Sequence, residues 1–221
     1  MKFLLTSGGI QNASIRAALV ELLGKPIADA SALCIPTAEY GHPRCTPASA
    51  WRFVAGRSPA PMCDLGWKSL GLLELTALPS VDRERWVPWV RQADVLLVDG
   101  GDATYLCHWM RQSGLADLMP SLTDTVWVGV SAGSMVMTPR VGQDFVNWKA
   151  PAGGDHTLGI VDFAIFPHLD HERMPENTIA HAEKWAAGIG CPAYAIDDQT
   201  AIKVVNATVE VVSEGHWRFF P

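Results

Sequence analysis

Short apolar runs alternate with segments of helical periodicity along most of the chain. The runs that predict strands lie at residues 2–6, 31–37, 72–77, 94–99 and 125–130. The run at 94–99 is almost wholly apolar, which is typical of a parallel strand buried on both faces. This alternation predicts an α/β fold in which helices cover both faces of a mostly parallel sheet.

The helical segments carry start and stop signals. Asn12 is placed to cap a helix that ends at Gly24. Further helices are expected at 47–54, 83–92 and 176–187. In the helix at 83–92, the spacing of Trp86, Trp89 and Val90 predicts that all three face the core.

The C-terminal third changes character. Strand-like runs at 193–197, 201–205, 209–212 and 217–220 are separated by turn residues, which predicts a short antiparallel meander at the edge of the sheet. A chain of 221 residues is long enough for one substantial core, and no linker interrupts it. We therefore expect a single domain over residues 1–221.

Charge and cysteine content narrow the class of protein. The chain has 17 Lys and Arg against 23 Asp and Glu, which gives a net charge of −6. This charge argues against a protein that coats nucleic acid or an anionic membrane, because both need a basic surface. Five cysteines without C-x-x-C spacing predict neither a disulfide framework nor a zinc site. Without an apolar leader or a membrane-length run, we expect a cytoplasmic monomer or homodimer that needs no cofactor.

The strongest chemical signal follows the apolar run at 125–130. Gly129-Val130-Ser131-Ala132-Gly133 matches G-x-S-x-G directly after a strand, the context in which this motif forms a nucleophile elbow. The elbow needs small residues on both sides of the serine because the turn brings their backbones together. Ser131 would project above the sheet, and the N–H of Ala132 would face a developing oxyanion. An ordinary turn rich in Gly and Ser is the alternative.

A second glycine turn, Gly100-Gly101, follows the run at 94–99. Two glycines there allow the backbone to approach a ligand closely, so the N–H of Gly101 is a candidate second oxyanion donor. A phosphate-binding loop is the rival, but neither of the usual glycine-rich phosphate motifs is present. The proline-rich stretch 36–61 follows a strand in the same way and is the leading candidate for a specificity loop.

A serine nucleophile needs a base, and His168 stands out among seven histidines. Residues 163–167 read as a strand that delivers His168 to the edge of the sheet where Ser131 lies. His171 follows it, but H-x-x-H without a third ligand does not predict a metal site. Spacing does not fix the acid that orients the imidazole; the candidates are Asp144, Asp162, Asp170, Asp197 and Asp198.

Four of these stretches, taken in order, resemble the peptidase E family. They are residues 100–102, 129–134, 166–168 and 196–201, which read GGD, GVSAGS, FPH and IDDQTA. The family comprises aspartyl dipeptidases and cyanophycinases with a class I glutamine-amidotransferase-like fold. The resemblance extends from the first strand to about Val205. It implies a flavodoxin-like, doubly wound architecture and a serine peptidase that acts on a small peptide, such as a dipeptidase.

The resemblance also implies roles for individual residues. Ser131 matches the nucleophile and His168 the base. Asp198 stands where the family's run usually has Glu, one methylene longer, and Asp144 is the alternate acid. True glutamine amidotransferases use a Cys in place of Ser131.

The N–H groups of Gly101 and Ala132 would form the oxyanion hole. The candidate substrate-binding residues are Asp102, Arg140, Arg173 and His42. The family's dipeptidases carry an arginine-rich helix after the catalytic histidine, and here residues 176–190 contain no Arg. Preference for an N-terminal Asp therefore does not transfer directly.

Two alternatives stay open at this point. An esterase-type acyl hydrolase would use the same triad. A catalytically weak binding module on the same scaffold would become the leading interpretation if Ser131, His168 and the acids lay beyond hydrogen-bond reach.

Overall fold

A seven-stranded sheet forms the centre of the fold in the computed structural model, which describes residues 1–151 and 153–221. In chain order the strands of the protein are β1 (Lys2–Thr6), β2 (Ser31–Ile35), β3 (Ser69–Leu72), β4 (Val95–Val98), β5 (Val126–Val130), β6 (Ala164–Phe166), β7 (Ala193–Ile196), β8 (Thr200–Val205), β9 (Thr208–Ser213) and β10 (Trp217–Phe220). The order across the large sheet is β3-β2-β4-β5-β1-β8-β9. The strands from β3 to β1 are parallel, and β8 and β9 are antiparallel.

Six of the seven α-helices that the structure describes cover the two faces of this sheet, and the last one packs against β6 and β7. The seven helices are α1 (Ala13–Leu23), α2 (Pro47–Val54), α3 (Arg83–Gln92), α4 (Ala103–Ser113), α5 (Leu115–Leu118), α6 (Ala132–Met135) and α7 (Ile179–Ile189). Strand β4 shows why both faces must be covered. Leu96 and Val98 join one buried cluster, whereas Val95 and Leu97 join another on the opposite face. The prediction of a mostly parallel sheet with helices on both faces is confirmed.

Local signals explain how the first helix begins and ends. The Asn12 side chain accepts a hydrogen bond from the N–H of Ile15, and Gly24 closes the helix with φ 67°. Ile15 and Leu19 are fully buried against the sheet. This helix has the bounds that the sequence predicts.

A second, three-stranded sheet in the order β10-β7-β6 corrects the predicted C-terminal meander. Only β8 and β9 extend the large sheet, whereas β10 pairs antiparallel with β7, and β7 pairs parallel with β6. The chain therefore changes sheets between Ile196 and Thr200. The alternating pattern predicts each strand but does not specify its partner.

Three smaller predictions also differ from the structure. The third strand is Ser69–Leu72 rather than 72–77, and the buried Leu73 and Leu75 lie in the connection after it. Trp89 is 44% exposed, because its ring packs over Gly71 of the edge strand instead of entering the core. Helix α7 begins at Ile179, where Thr178 caps it, rather than at residue 176.

None of the helices within residues 1–151 and 153–221 has the length and apolar character needed to cross a membrane.

Candidate active site

A cavity of about 500 Å³ lies at the carboxyl edge of the parallel strands. Ser131 follows β5, Gly101 follows β4 and His168 follows β6, and all three line it. The proline-rich stretch contributes a further wall, formed by Glu39, His42, Arg44, Cys45, Pro59 and Ala60. This is the edge of an open α/β sheet at which ligands bind.

Another cavity, of about 580 Å³, lies at the opposite end of the sheet. It is lined by apolar residues such as Phe3, Ile160 and Val209. Among the described residues that line it there is no Ser, His or Cys, so its one acid, Asp162, has neither a serine nor a histidine to act with. The chemistry of the cavity beside Ser131 makes that cavity the candidate active site.

Ser131 occupies a strained turn between β5 and α6. Its φ of 50° and ψ of −111° are unusual for a residue with a side chain. A Cβ on Gly129 would overlap the carbonyl of Gly133, and a Cβ on Gly133 would overlap the carbonyl of Val98. The glycines are therefore required by close backbone packing, the arrangement expected of a nucleophile elbow.

Two backbone donors lie beside Ser131. The N–H of Ala132 opens helix α6, and Gly101 has φ 132°, a conformation that favours glycine. Within the described part of the chain, neither N–H has an acceptor. The Gly100-Gly101 turn packs against the serine, since a Cβ on Gly100 would lie 3.5 Å from the Ser131 Cβ. Both donors are available to a ligand in the cavity.

His168 and Asp198 form a hydrogen-bonded pair, with 2.7 Å between Nδ1 and Oδ1. Ser7, which follows β1, holds both residues: its hydroxyl accepts from the His168 N–H at 2.7 Å and donates to Asp198 Oδ1 at 2.7 Å. A Cβ on Gly8 would overlap the Asp198 side chain, so Gly8 leaves room for the acid. Sequence reasoning overlooked Ser7, although its position at the end of a central strand was a usable signal.

The environment of Asp198 favours its charged form. Burial by itself raises the pKa of this carboxyl, but the hydrogen bond and charge of His168, together with the Ser7 hydroxyl, outweigh burial and hold the pKa below its ordinary value. Asp198 is therefore a carboxylate at neutral pH. A carboxylate at Nδ1 selects the imidazole tautomer whose Nε2 is free to accept a proton.

A second histidine approaches the same acid. His171 Nε2 lies 3.5 Å from Asp198 Oδ2, and His171 Nδ1 accepts a hydrogen bond from the Arg173 N–H. The proton of a neutral His171 must then lie on Nε2, pointing towards Asp198. His171 thus adds support to the acid and is not arranged with His168 as a pair of metal ligands.

Ser131 and His168 line the same cavity but are not joined by a hydrogen bond in the part of the chain that the structure describes. His168 itself has a positive φ of 56°, so both residues are held in uncommon backbone conformations. The condition set above for a binding module is therefore met only in part, because His168 and the acid Asp198 are joined and Ser131 is not. Catalytic hydrogen bonds are often long without substrate and tighten when it binds.

Asp144, the alternate acid, has a different partner. Its Oδ2 lies 3.1 Å from His181 Nε2, and its side chain is 55% exposed. The structure therefore brings His168 together with Asp198 and leaves Asp144 with His181 on the cavity rim. Asp197 is also occupied elsewhere, because it accepts hydrogen bonds from Thr200 and His216 in the turn before β8.

Asp102 does not line the cavity, contrary to its sequence-based role in substrate binding. It is fully buried and caps helix α4 by accepting from the Tyr105 N–H at 2.8 Å. It also accepts hydrogen bonds from Thr104, Asn147 and Trp148. Its carboxylate is fully used within the protein and anchors the distant loop that contains Asn147 and Trp148.

The candidate arginines also lie outside the cavity lining. Arg140 makes a two-point ion pair with the buried Asp155, at 3.0 Å from both Nε and Nη2, and Arg173 is exposed. His42 does line the cavity. Burial and then the charge of Arg44 lower the pKa of His42, which favours a neutral ring.

Comparisons with known proteins agree with this architecture. The chain matches the model of peptidase family S51 over residues 3–212. No curated protein matches it. A solved structure of a candidate peptidase E protein from Listeria monocytogenes EGD-e is 18% identical, with a TM-score of 0.67 over 97% of this chain and 98% of that one.

A solved peptidase from an acI-B1 Actinobacterium is 20% identical, with a TM-score of 0.71 over 98% of this chain and 88% of that one. At such identities the two structures establish a shared fold, whereas the family match covers nearly the whole sequence. The chain therefore belongs to peptidase family S51 and is a serine-type peptidase.

Proposed function

We propose that this peptidase hydrolyses a small peptide, such as a dipeptide, through the triad Ser131, His168 and Asp198. One observation carries the proposal: the 2.7 Å hydrogen bond between His168 and Asp198 at the cavity that contains Ser131. The strained backbone at Ser131 supports its role as nucleophile.

The proposed reaction follows from these positions. Ser131 Oγ attacks the substrate carbonyl, and His168 Nε2 takes the hydroxyl proton. The carbonyl oxygen becomes an oxyanion that accepts hydrogen bonds from the N–H groups of Gly101 and Ala132. His168 then gives the proton to the leaving amine, which departs and leaves an acyl ester on Ser131. Water then attacks the ester carbonyl while His168 takes a proton from the water. His168 gives this proton to Ser131 Oγ, which leaves, and the acid product is released.

Asp198 keeps the imidazole in the productive tautomer and stabilises the imidazolium that forms after proton transfer. The proposed triad still lacks a hydrogen bond between Ser131 and His168 in the described residues. We expect this hydrogen bond to form when substrate displaces water from the cavity. A cavity of about 500 Å³ suits a ligand of few residues.

The test compares Ser131→Ala with Ser134→Ala. Ser134 lies on the same turn, but its hydroxyl is buried and donates to the Thr6 carbonyl, so it serves as a matched control. We expect Ser131→Ala to lose peptide hydrolysis and labelling by a serine-directed phosphonate, and Ser134→Ala to retain labelling. Undiminished hydrolysis in folded Ser131→Ala protein would refute the assignment.

Esters are assayed alongside dipeptides. Ester cleavage without any peptide cleavage would favour a general acyl hydrolase instead of the proposed function.

We also propose that the enzyme works in the cytoplasm, as its cysteine content predicts. All five cysteines are free thiols in the structure. Fractionation of the native host's cells with an antibody to the chain tests this location.

A further inference from the structure

Arg44 is the one Lys or Arg among the described residues that line the cavity beside Ser131. It belongs to the proline-rich stretch and is exposed, so a ligand can reach it. Within residues 1–151 and 153–221, its guanidinium makes no ion pair and no hydrogen bond. An arginine in this position offers an anion a positive charge and five N–H donors in a planar fork.

His42, two residues before Arg44, contributes a second donor to the same cavity. Its Nδ1 accepts the Arg44 N–H at 3.2 Å. Burial, and then the charge of Arg44, lower the pKa of His42, so the ring is neutral and its one proton lies on Nε2. In the described part of the chain this Nε2–H has no acceptor. One short turn therefore carries a cation and a neutral N–H donor, both unused within the protein.

The turn that holds these two side chains is closed by its own backbone. The Cys45 N–H donates to the His42 carbonyl at 3.0 Å. Pro43 occupies the second position of the turn, where its fixed φ suits this geometry. Thr46 follows directly and caps helix α2 through a capping box with Ser49. Because the backbone is fixed at both ends, the two donors lose little conformational freedom when they bind a ligand.

The acids of the cavity wall do not neutralise Arg44. They are Glu39, Asp99, Asp144 and Glu176, and none of them makes an ion pair with it in the described residues. Glu39 and Asp99 are hydrogen-bonded to each other, and burial and then the charge of Glu39 raise the pKa of Asp99 well above its ordinary range, so this pair holds a proton. Asp144 is paired with His181. The positive charge of Arg44 is therefore available to an anion from outside the chain.

We propose that Arg44, assisted by His42, binds the C-terminal carboxylate of the peptide substrate. The inference rests on the proposed function, which places a short peptide in the cavity that contains Ser131. Every unblocked short peptide ends in such a carboxylate, and a cavity of about 500 Å³ holds it together with the scissile bond. A guanidinium binds a carboxylate through two parallel hydrogen bonds, and the His42 Nε2–H adds another. This subsite selects short peptides with a free C-terminus over peptides whose C-terminus is blocked.

Binding to the Ser131→Ala protein tests the subsite without any chemistry. Four probes are titrated in a calorimeter: L-alanyl-L-leucine, L-aspartyl-L-leucine and the C-terminal amide of each. In every pair that binds, we expect the free acid to bind about tenfold or more tightly than its amide, the scale of a hydrogen bond to a charged group. The acids of the cavity wall attract the more positive amide, so they would produce the opposite preference. The aspartyl pair shows whether a side-chain carboxylate can replace the terminal one.

Adding Arg44→Gln should reduce this difference to less than about threefold, whereas Arg44→Lys, which keeps the charge without the planar fork, should retain part of it. Arg52→Gln is the matched control. Arg52 is exposed in the same proline-rich stretch, but its guanidinium donates to Ser49 and it does not line the cavity. This control should keep the full preference. His42→Phe keeps a ring without the Nε2–H and should lose part of the preference.

An amide that binds as tightly as its free acid, in either pair, would overturn the subsite, and so would no binding of any probe. A preference that survives Arg44→Gln, or that Arg52→Gln removes equally, would also overturn it. Failure of the triad has a different signature: wild-type protein would hydrolyse no peptide, while the Ser131→Ala protein still preferred the free acids.

Discussion

Asp198 contacts His168 from a turn that joins the two sheets. His168 follows β6 of the small sheet, and Asp198 lies between β7 of the small sheet and β8 of the large one. Ser7 follows β1 of the large sheet and bonds to both residues. The His168–Asp198 pair is therefore held at the junction between the two sheets rather than by one element. The segments after β1, after β6 and between β7 and β8 must all be folded before the pair can form.

Replacing the acid tests the choice between the two carboxylates. We expect Asp198→Asn to lower kcat by roughly 10³- to 10⁴-fold, because an amide neither favours the productive tautomer nor stabilises the imidazolium. Asp144→Asn, which disturbs only the exposed pair with His181, should change kcat by less than about threefold. Steady-state kinetics on a cleaved dipeptide make the comparison. The opposite ranking would assign the acid's role to Asp144.

Ser7→Ala tests a positioning residue that is not among the residues lining the cavity. We expect a fall of about tenfold in kcat with KM nearly unchanged, because the hydroxyl holds charged Asp198 and the His168 backbone. The variant also loses one of the contacts that lower the Asp198 pKa. Stability from this carboxylate is present above the ordinary Asp pKa of 3.8 and is lost as pH falls through the lowered value.

The folded-state pKa of Asp198 rises in Ser7→Ala, so its acid unfolding should begin at higher pH than in the wild type. Circular dichroism during acid titration measures this. Ser7→Thr keeps a hydroxyl and is the rescue variant. Urea denaturation at several pH values separates this effect from a purely structural role. A structural role alone would lower the free energy of unfolding by the same amount at every pH, whereas the loss of a pKa-lowering contact gives a deficit that shrinks as the pH falls through the Asp198 pKa.

Asp99→Asn should change stability in a pH-dependent way. The folded protein raises the pKa of Asp99, so it binds a proton that the unfolded chain has already lost above about pH 3.8. Wild-type stability therefore falls as pH rises from that point, whereas Asn has no proton to lose. The melting temperature of Asp99→Asn relative to wild type should increase from pH 4 to pH 8, and a constant difference would contradict the raised pKa.

We expect the substitution of Gly by Ala to have opposite effects on the free energy of unfolding at two positions. Gly133→Ala would place a methyl group against the Val98 carbonyl, and we expect a loss of about 1–3 kcal/mol or more in the free energy of unfolding. Gly188→Ala lies within α7 with no atom near the new methyl group, so we expect a gain of about 0.5–1 kcal/mol. Urea denaturation measures both. A neutral Gly133→Ala would mean that the turn is looser than its geometry indicates.

Local signals were enough to predict most of the large sheet and the turn at Ser131. The glycines around Ser131 could be interpreted because their spacing is short and the steric reason is local. Ser7 could not be paired with His168 in advance, since 161 residues separate them and only the order of strands brings them together. The role of Arg140 was unpredictable for a different reason: its buried partner Asp155 lies only 15 residues further on, but the path of the intervening loop is not encoded in a local pattern.

The contribution of residues 36–61 to the cavity wall has an evolutionary and a practical consequence. The proposed nucleophile Ser131 and the two proposed oxyanion donors follow core strands, whereas Glu39, His42, Arg44 and Cys45 come from one surface excursion. Substrate preference can therefore diverge while the reacting groups stay in place. A graft of this excursion between S51 peptidases of different specificity is a direct route to exchanging their substrates.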